Sequence, residues 1–337
     1  MYFGTDPEYL IVNRLGRPVP AHKAGFGDKN NKKVLYQNTW DTGPDAWESR
    51  AFRDGYMVEV NVKPDTCRQT TTYRMKRAIA ALQKMVKPKY RIIAAPAVKI
   101  NLKADMKDAP DDVLQFGCEP SYDAYTGDTK VPPIDAITHP FRYAGGHLHF
   151  GHSGSSKYDW MRAKKNHPGF VKLMDLYVGL PLTYLFDDKR TFWRRRFYGQ
   201  AGEYRSQQYG KGNTQIGVEY RTPGPEVWNE PWVASFAMGT GRYIGQNYQV
   251  LTEKWDKGIE GDLVGAINTG TDVEKLVKRL QLPFHEYPAT WLKLKKFAPK
   301  VLKLGKSPDQ QITAGLMGWM DGHRLEISDN EARGGDY

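Results

Sequence analysis

The sequence predicts a single large α+β domain with helical insertions. Short runs that alternate apolar and polar residues at period two recur between Tyr9 and Arg221 and read as strands. Segments with helical spacing lie between and after them, and no internal repeat or linker divides the chain. At 337 residues, with 40% hydrophobic and 12% aromatic content, the chain can bury a sizeable core.

Composition narrows the function classes. No stretch approaches the ~18 consecutive apolar residues of a membrane span, and the opening MYFGTDPEYLIV lacks the basic-then-apolar pattern of a secretory signal. The expected location is therefore cytoplasmic, without a membrane partner. Cys67 and Cys118 are too few for a disulfide framework and have no zinc spacing, so a metal must be held by oxygen and imidazole. The formal charge of +11 fits a nucleic acid, and fits equally a site for a polyanionic nucleotide and an acidic substrate.

The first element is the run Tyr9-Leu10-Ile11-Val12, a strand entered through Asp6-Pro7-Glu8. Asp6 and Glu8 lie two apart and project together, although Asp-Pro also opens turns and Glu8 also suits an exposed strand position. Residues 13–50 read as long loops around a hairpin that includes Val34 to Tyr36. Tyr56 to Val62 is a strand entered through Asp54-Gly55; Val58, Val60 and Val62 form its apolar face, and Glu59 with Asn61 the other. Thr70 to Met85 has helical spacing at Tyr73, Ile79, Leu82 and Met85, with its basic residues on a solvated face. Tyr90 to Leu102 is a strand interrupted by Pro96. Phe116 to Tyr125 is a loop whose acids suit a satisfied turn better than a metal site.

Arg142 to His152, RYAGGHLHFGH, places His147 and His149 on one face of a strand and Leu148 and Phe150 on the other. An edge strand with solvated histidines fits the same pattern, but the flanking glycines admit a backbone or a phosphate. Lys157 to Lys165 and Phe170 to Phe186 read as helices, the second apolar nearly all round and so buried despite Gly179 and Pro181. Thr191 to Arg205 carries Arg194, Arg195, Arg196 and Arg205 with Gly199 and Gly202; it suits a loop folding over phosphate groups, a solvated basic loop or a nucleic-acid contact. Gly217 to Arg221 is a strand with Glu219 and Arg221 facing one way. Pro225 starts a long helix through Trp228, Trp232, Phe236 and Tyr243 to about Trp255. Helices follow near Thr271 to Leu280 and Tyr287 to Phe297, and the end, DNEARGGDY, need not be ordered.

Asp6 with Glu8, Glu59 with Asn61, His147 with His149, and Glu219 with Arg221 are thus four strand-borne pairs. If their strands are neighbours, carboxylates, imidazole and guanidinium line one face of a curved sheet. Such a surface repels itself without counter-ions, and divalent magnesium or manganese, which also bridge nucleotide phosphates, would resolve the conflict.

These motifs resemble a known superfamily. DPEYLI resembles the first-strand acid-x-acid motif of glutamine synthetase and glutamate-cysteine ligase, GGHLHFG their His-x-His strand, and GVEYRTP their Glu-x-Arg strand. YGQAGEYR and FGCEPSYDAY are similar, more narrowly, to the phage-type carboxylate-amine ligases, or amidoligases. The likeness is spread over residues 4–228. It implies a glutamine-synthetase-like catalytic domain over residues 1–337, with a curved antiparallel sheet and helices on its outer side; the C-terminal third carries no family motif, and its residues read as mainly helical at 225–305 with a tail at 328–337. It also implies the host cytoplasm as location if a phage encodes the chain.

The resemblance further implies that Glu8 and Glu59 hold one metal, while Asp6, His147 and Glu219 hold a second that touches the nucleotide phosphates. His149 would sit near the nucleotide, and Arg205 and Arg221 near the transferred phosphoryl group. Asp6 is shorter than the Glu usual in glutamine synthetase, and Gly217 stands where that enzyme has another Arg, leaving Arg205 or the Arg194 cluster to supply the charge. With a single clear imidazole the site should take magnesium or manganese rather than zinc. The implied reaction consumes ATP: a carboxylate, small or polymer-borne, becomes an acyl phosphate that an amine converts to an amide. Two other readings stay open, a guanidino-type kinase on the same fold and a non-catalytic nucleic-acid or virion-associated protein. The converging acids disfavour the latter, since a phosphate-binding surface gains nothing from them.

Overall fold

Residues 2–13 form two strands rather than one, β1 (Tyr2–Thr5) and β2 (Glu8–Asn13). The break falls at Asp6-Pro7, where proline has no N–H for a ladder and holds φ near one value. The structure, a computed structural model, describes residues 1–37, 48–114, 120–131, 134–186, 188–209, 215–229 and 231–280. Each of the two strands belongs to a different sheet. β1 opens the order β1, β12 (Leu148–Gly151), β14 (Gln215–Tyr220), β13 (Glu203–Tyr209), β9 (Ser121–Asp123), β10 (Thr129–Lys130). β2 belongs to the order β3 (Pro18–Val19), β2, β6 (Met57–Asn61), β5 (Glu48–Asp54), β4 (Lys33–Gln37), and also pairs with β7 (Tyr90–Ile93). A small third sheet joins β8 (Ala97–Lys99) to β11 (Phe141–Tyr143). Every described strand pair is antiparallel. The curled antiparallel sheet expected from the sequence is thus present, with its ladders in separate hydrogen-bonded parts, and the run from Tyr2 to Asn13 passes from one part into the other.

Register decides which side chains share a face. Gly4 pairs with His149, His149 with Glu219, and Glu219 with Arg205, so these positions form one row across β1, β12, β14 and β13. The opposite face carries Phe3, Leu148, Phe150, Val218 and Tyr220, all fully buried. Helices cover that apolar face. The Phe150 ring meets Phe170 edge-on at 5.3 Å, and Gly241 lies so near it that a Cβ there would strike the ring. Phe170 lies on α3 (His167–Met174) and Gly241 on α6 (Pro231–Gln246).

The other helices differ from expectation in instructive ways. α1 (Arg68–Val86) buries Met75, Ala78, Ile79, Leu82 and Val86 against α6 and the strands β4, β5 and β7, while Met85 is exposed. β7 and β8 replace the interrupted strand, and a single turn, α2 (Leu102–Asp105), follows them. The segment expected as a helix at 157–165 is two 3-10 turns, Ser156–Arg162 and Lys164–Asn166. The apolar segment is buried as expected but is not one helix: α3 and α4 (Leu180–Leu185) flank a π turn, Asp175–Gly179. The arginine-rich stretch begins as α5 (Lys189–Arg194) rather than as a loop. The long helix from Pro225 is divided into a 3-10 turn (Pro225–Trp228), α6 and α7 (Tyr248–Glu253), followed by α8 (Glu260–Thr269) and α9 (Val273–Leu280). The expected helix at Tyr287 to Phe297, the tail and Cys118 lie outside the described residues. No described helix is long and apolar enough to cross a membrane.

Candidate metal and catalytic site

The glycines before β12 do what close packing requires. Gly146 donates its N–H to the Pro223 carbonyl at 3.0 Å, and a Cβ there would collide with the Gly224 carbonyl. Gly145 donates to Glu8 Oε2 at 2.8 Å, and its carbonyl accepts the Glu8 N–H at 3.0 Å. Backbone thus approaches Gly146, while the His147 ring and the Glu8 carboxylate approach Gly145, and the Gly145 pair ties β2 to the entrance of β12. His147, just before β12, and Glu8, at the start of β2, are brought side by side.

Asp6, His147, His149 and Glu219 each turn one ligand atom inward, and these atoms lie within 4.8 Å of one another. Asp6 Oδ1 is 3.1 Å from His147 Nδ1 and 3.0 Å from His149 Nε2, and Glu219 Oε1 is 3.2 Å from His147 Nδ1. The sequence reading counted one imidazole here; register with Glu219 brings the second. These spacings fit a bound ion, because donors ~2.1 Å from a common octahedral centre stand about 3.0 Å apart along an edge. The Tyr198 hydroxyl lies 2.7 Å from His147 Nε2 and donates to Glu8 Oε1 at 3.3 Å. With its proton directed to Glu8 it accepts Nε2–H, the tautomer that turns the Nδ1 lone pair toward Asp6 and Glu219.

Glu8 and Glu59 are directly paired positions on β2 and β6, and both are buried. Asn61 donates to Glu59 Oε1 at 2.9 Å. Burial, then the Asp54 charge, pushes the Glu8 carboxyl up to about 8, against the Gly145 N–H that favours its ionised form. Burial, then Asp6 and Asp54, holds Glu59 well above its usual range. At Asp6 burial also opposes ionisation, but His149 and His147 outweigh it and hold the carboxyl well below its usual range. Glu219 is brought to about 2, since Arg221 and then the histidines overcome burial. Burial and Arg221 lower His147, whereas the Asp6 charge overcomes burial and raises His149. The acids near Glu59 thus lack sufficient positive charge, which is the environment that a cation relieves.

Arg221 is buried between two carboxylates: Nη1 bonds Glu219 Oε1, and Nε lies 3.3 Å from Glu203 Oε1. Arg205 Nη1 stands 3.8 Å from Glu219 Oε2. Both arginines therefore border the four-donor cluster. Arg194 and Arg195 do not supply a phosphate-facing charge, and Arg196 is exposed. Arg194 is fully buried and donates to the carbonyls of Arg221, Thr222 and Pro223 at 3.0, 2.9 and 3.1 Å. Arg195 is spent on Thr183 Oγ1 at 2.8 Å and the Ile267 carbonyl. These guanidiniums hold the turn after β14 and the start of the helical part.

Residues 136–262 match the model of the family described as phage phiEco32-like COOH.NH2 ligase-type 2. Over that segment the chain is similar to the phage-type carboxylate-amine ligases. A comparison with curated proteins found no match. The matched segment contains His147, His149, Tyr198, Glu203, Arg205, Glu219 and Arg221, while Asp6, Glu8 and Glu59 come from the chain before it. The family name supports an enzyme that joins carboxyl and amine groups.

Three residues of the matched segment escaped the sequence reading. Tyr198 links Glu8 to His147, and its ring carries Arg194 at 4.7 Å and Arg221 at 5.0 Å. Glu203 orients Arg221 while its Oε2 accepts the N–H groups of Gly199 at 2.6 Å and Gln200 at 3.1 Å. Asp175, in the π turn, accepts from Tyr220 Oη at 2.7 Å and Gly202 N at 2.6 Å. The available signals were an acid inside an otherwise apolar segment and a Tyr and Glu within YGQAGEYR.

Proposed function

We propose that the chain condenses a carboxylate with an amine at the expense of ATP, through an acyl phosphate. The observation that carries this reading is the convergence of Asp6, His147, His149 and Glu219 beside Arg205 and Arg221, with Glu8 and Glu59 on the adjoining strands. Asp6, His147 and Glu219, joined by His149, would hold a nucleotide-side divalent cation, and Glu8 with Glu59 a second. Bound there, magnesium or manganese supplies charge that offsets the phosphate oxygens and polarises the transferred phosphoryl group. Arg221 and Arg205 complement that charge from the guanidinium side, and Glu203 keeps Arg221 in one orientation. A substrate carboxylate oxygen attacks the terminal phosphorus and ADP departs. The amine nitrogen then attacks the acyl carbon, loses a proton, and phosphate leaves.

The test is a mass-spectrometric screen of amino acids and polyamines with ATP and magnesium or manganese. ADP, phosphate and an amide should form only when acid and amine are both present; ATP consumption with a phosphorylated amine and no carboxylate requirement would move the assignment to a kinase. Two variants accompany the productive pair. Glu219→Gln should weaken metal-dependent ATP binding as well as turnover. Arg221→Lys keeps a charge but loses the planar fork, so ATP should still bind while turnover falls about 10²-fold or more. Near-normal turnover in both would reduce the Glu219–Arg221 contact to a structural ion pair.

A further inference from the structure

We infer that Asp6, His147, His149 and Glu219 form a mixed nitrogen and oxygen site that selects a first-row transition-metal dication over magnesium. This rests on the metal-holding part of the function proposed above and not on its ligase chemistry. Magnesium demands oxygen donors and gives up its water reluctantly, whereas imidazole suits iron, nickel, copper and zinc, and manganese, softer than magnesium, accepts it more readily than magnesium does. The donor set contains as many imidazoles as carboxylates.

Both rings are aimed. His147 has its Nε2 engaged by the Tyr198 hydroxyl at 2.7 Å, which leaves Nδ1 for the cluster. His149 stands in strand register between Gly4 and Glu219, and its Nε2 reaches Asp6 Oδ1 at 3.0 Å. The measured edges of 3.0, 3.1 and 3.2 Å match those of a coordination shell with ~2.1 Å bonds. The widest spread, 4.8 Å, exceeds the roughly 4.2 Å between opposite donors of such a shell by an amount that side-chain rotation closes. Arg221 Nη1 bonds Glu219 Oε1, the oxygen that faces His147 Nδ1, and Arg205 Nη1 stands 3.8 Å from Oε2, so the two guanidiniums fix the orientation of that carboxylate toward the histidines.

The experiment uses the full chain after chelator treatment, at pH 8 and without nucleotide or substrate. Calorimetry with manganese alone, magnesium alone and the two in competition should show manganese held at least about 100-fold more tightly. Pulsed electron paramagnetic resonance of the manganese complex should show modulation from two imidazole nitrogens in the wild type and from one in His149→Gln. The same variant should lose about 10- to 100-fold in manganese affinity and less in magnesium affinity, so that the preference for manganese narrows. Equal affinity for the two ions, or fewer than two imidazoles on manganese in the wild type, overturns the inference, and neither reading depends on how well the variant folds. A chain that passes these tests yet never forms an amide overturns the ligase reading alone.

Discussion

Tyr198 shows how one hydroxyl can govern a site built from distant parts of the chain. Its oxygen joins Glu8 Oε1 and His147 Nε2, while its ring lies between the Arg194 and Arg221 guanidiniums. Tyr198→Phe keeps the ring and its cation contacts but leaves Nε2 without its orienting partner. Manganese affinity, measured by calorimetry on the chain alone, should fall about 10- to 100-fold, while thermal unfolding reports a loss of only about 1 kcal/mol. Unchanged affinity would show that packing alone aims His147. None of this was legible at Tyr198 itself, because its partners are remote in sequence. The same holds for Arg194: its charge was visible, but the carbonyls of Arg221, Thr222 and Pro223 that absorb it were not.

At the scale of the element, the π turn Asp175–Gly179 buttresses the strand that carries Glu219 and Arg221. Asp175 accepts from Tyr220 and Thr222, the residues alternating with those two, and from Tyr125 and Gly202. Burial raises its carboxyl to about 6, even though the Tyr220 and Tyr125 hydroxyls favour the charged form. The folded state therefore binds this proton more tightly than the unfolded chain. The resulting stability is fully present below the unfolded value of 3.8 and is lost as pH rises through about 6. The whole effect is on the order of 3 kcal/mol. Asp175→Asn removes the titration, so urea unfolding at pH 4 and pH 7 should show the wild type losing about that much relative to the variant. A difference that does not change with pH would contradict the assignment. An acid within an apolar helical run was readable as unusual; its four donors, Tyr125, Gly202, Tyr220 and Thr222, are remote in sequence and reach it only in the fold.

Across the whole molecule, the two faces of the first sheet divide the work. Its apolar face packs on α3 and α6 through Phe150, which is fully buried between Phe3 at 6.2 Å and Phe170 at 5.3 Å. Phe150→Ala should cost about 3–5 kcal/mol in urea unfolding, because the surrounding helices close the cavity only in part. It should also loosen His149, the preceding residue on β12, and weaken manganese binding. A loss below about 1 kcal/mol would mean that α3 and α6 are not what holds this strand in place.

What the sequence by itself determined are the relations that a backbone period enforces. His147 and His149 share a face, Glu219 and Arg221 share a face, Leu148 and Phe150 point to the core, and Ile79 and Leu82 lie on one side of a helix, because strand and helix periodicities are local. The tertiary structure decided how far apart those faces stand. It divided the ladders of the curved sheet at Asp6-Pro7, where a proline ends one of them, and brought His149 beside Asp6 by strand register. It buried Arg194 and Arg195 and set Tyr198 between Glu8 and His147. Distances between donor atoms depend on which remote strands pair and in what register, and no local spacing encodes that choice.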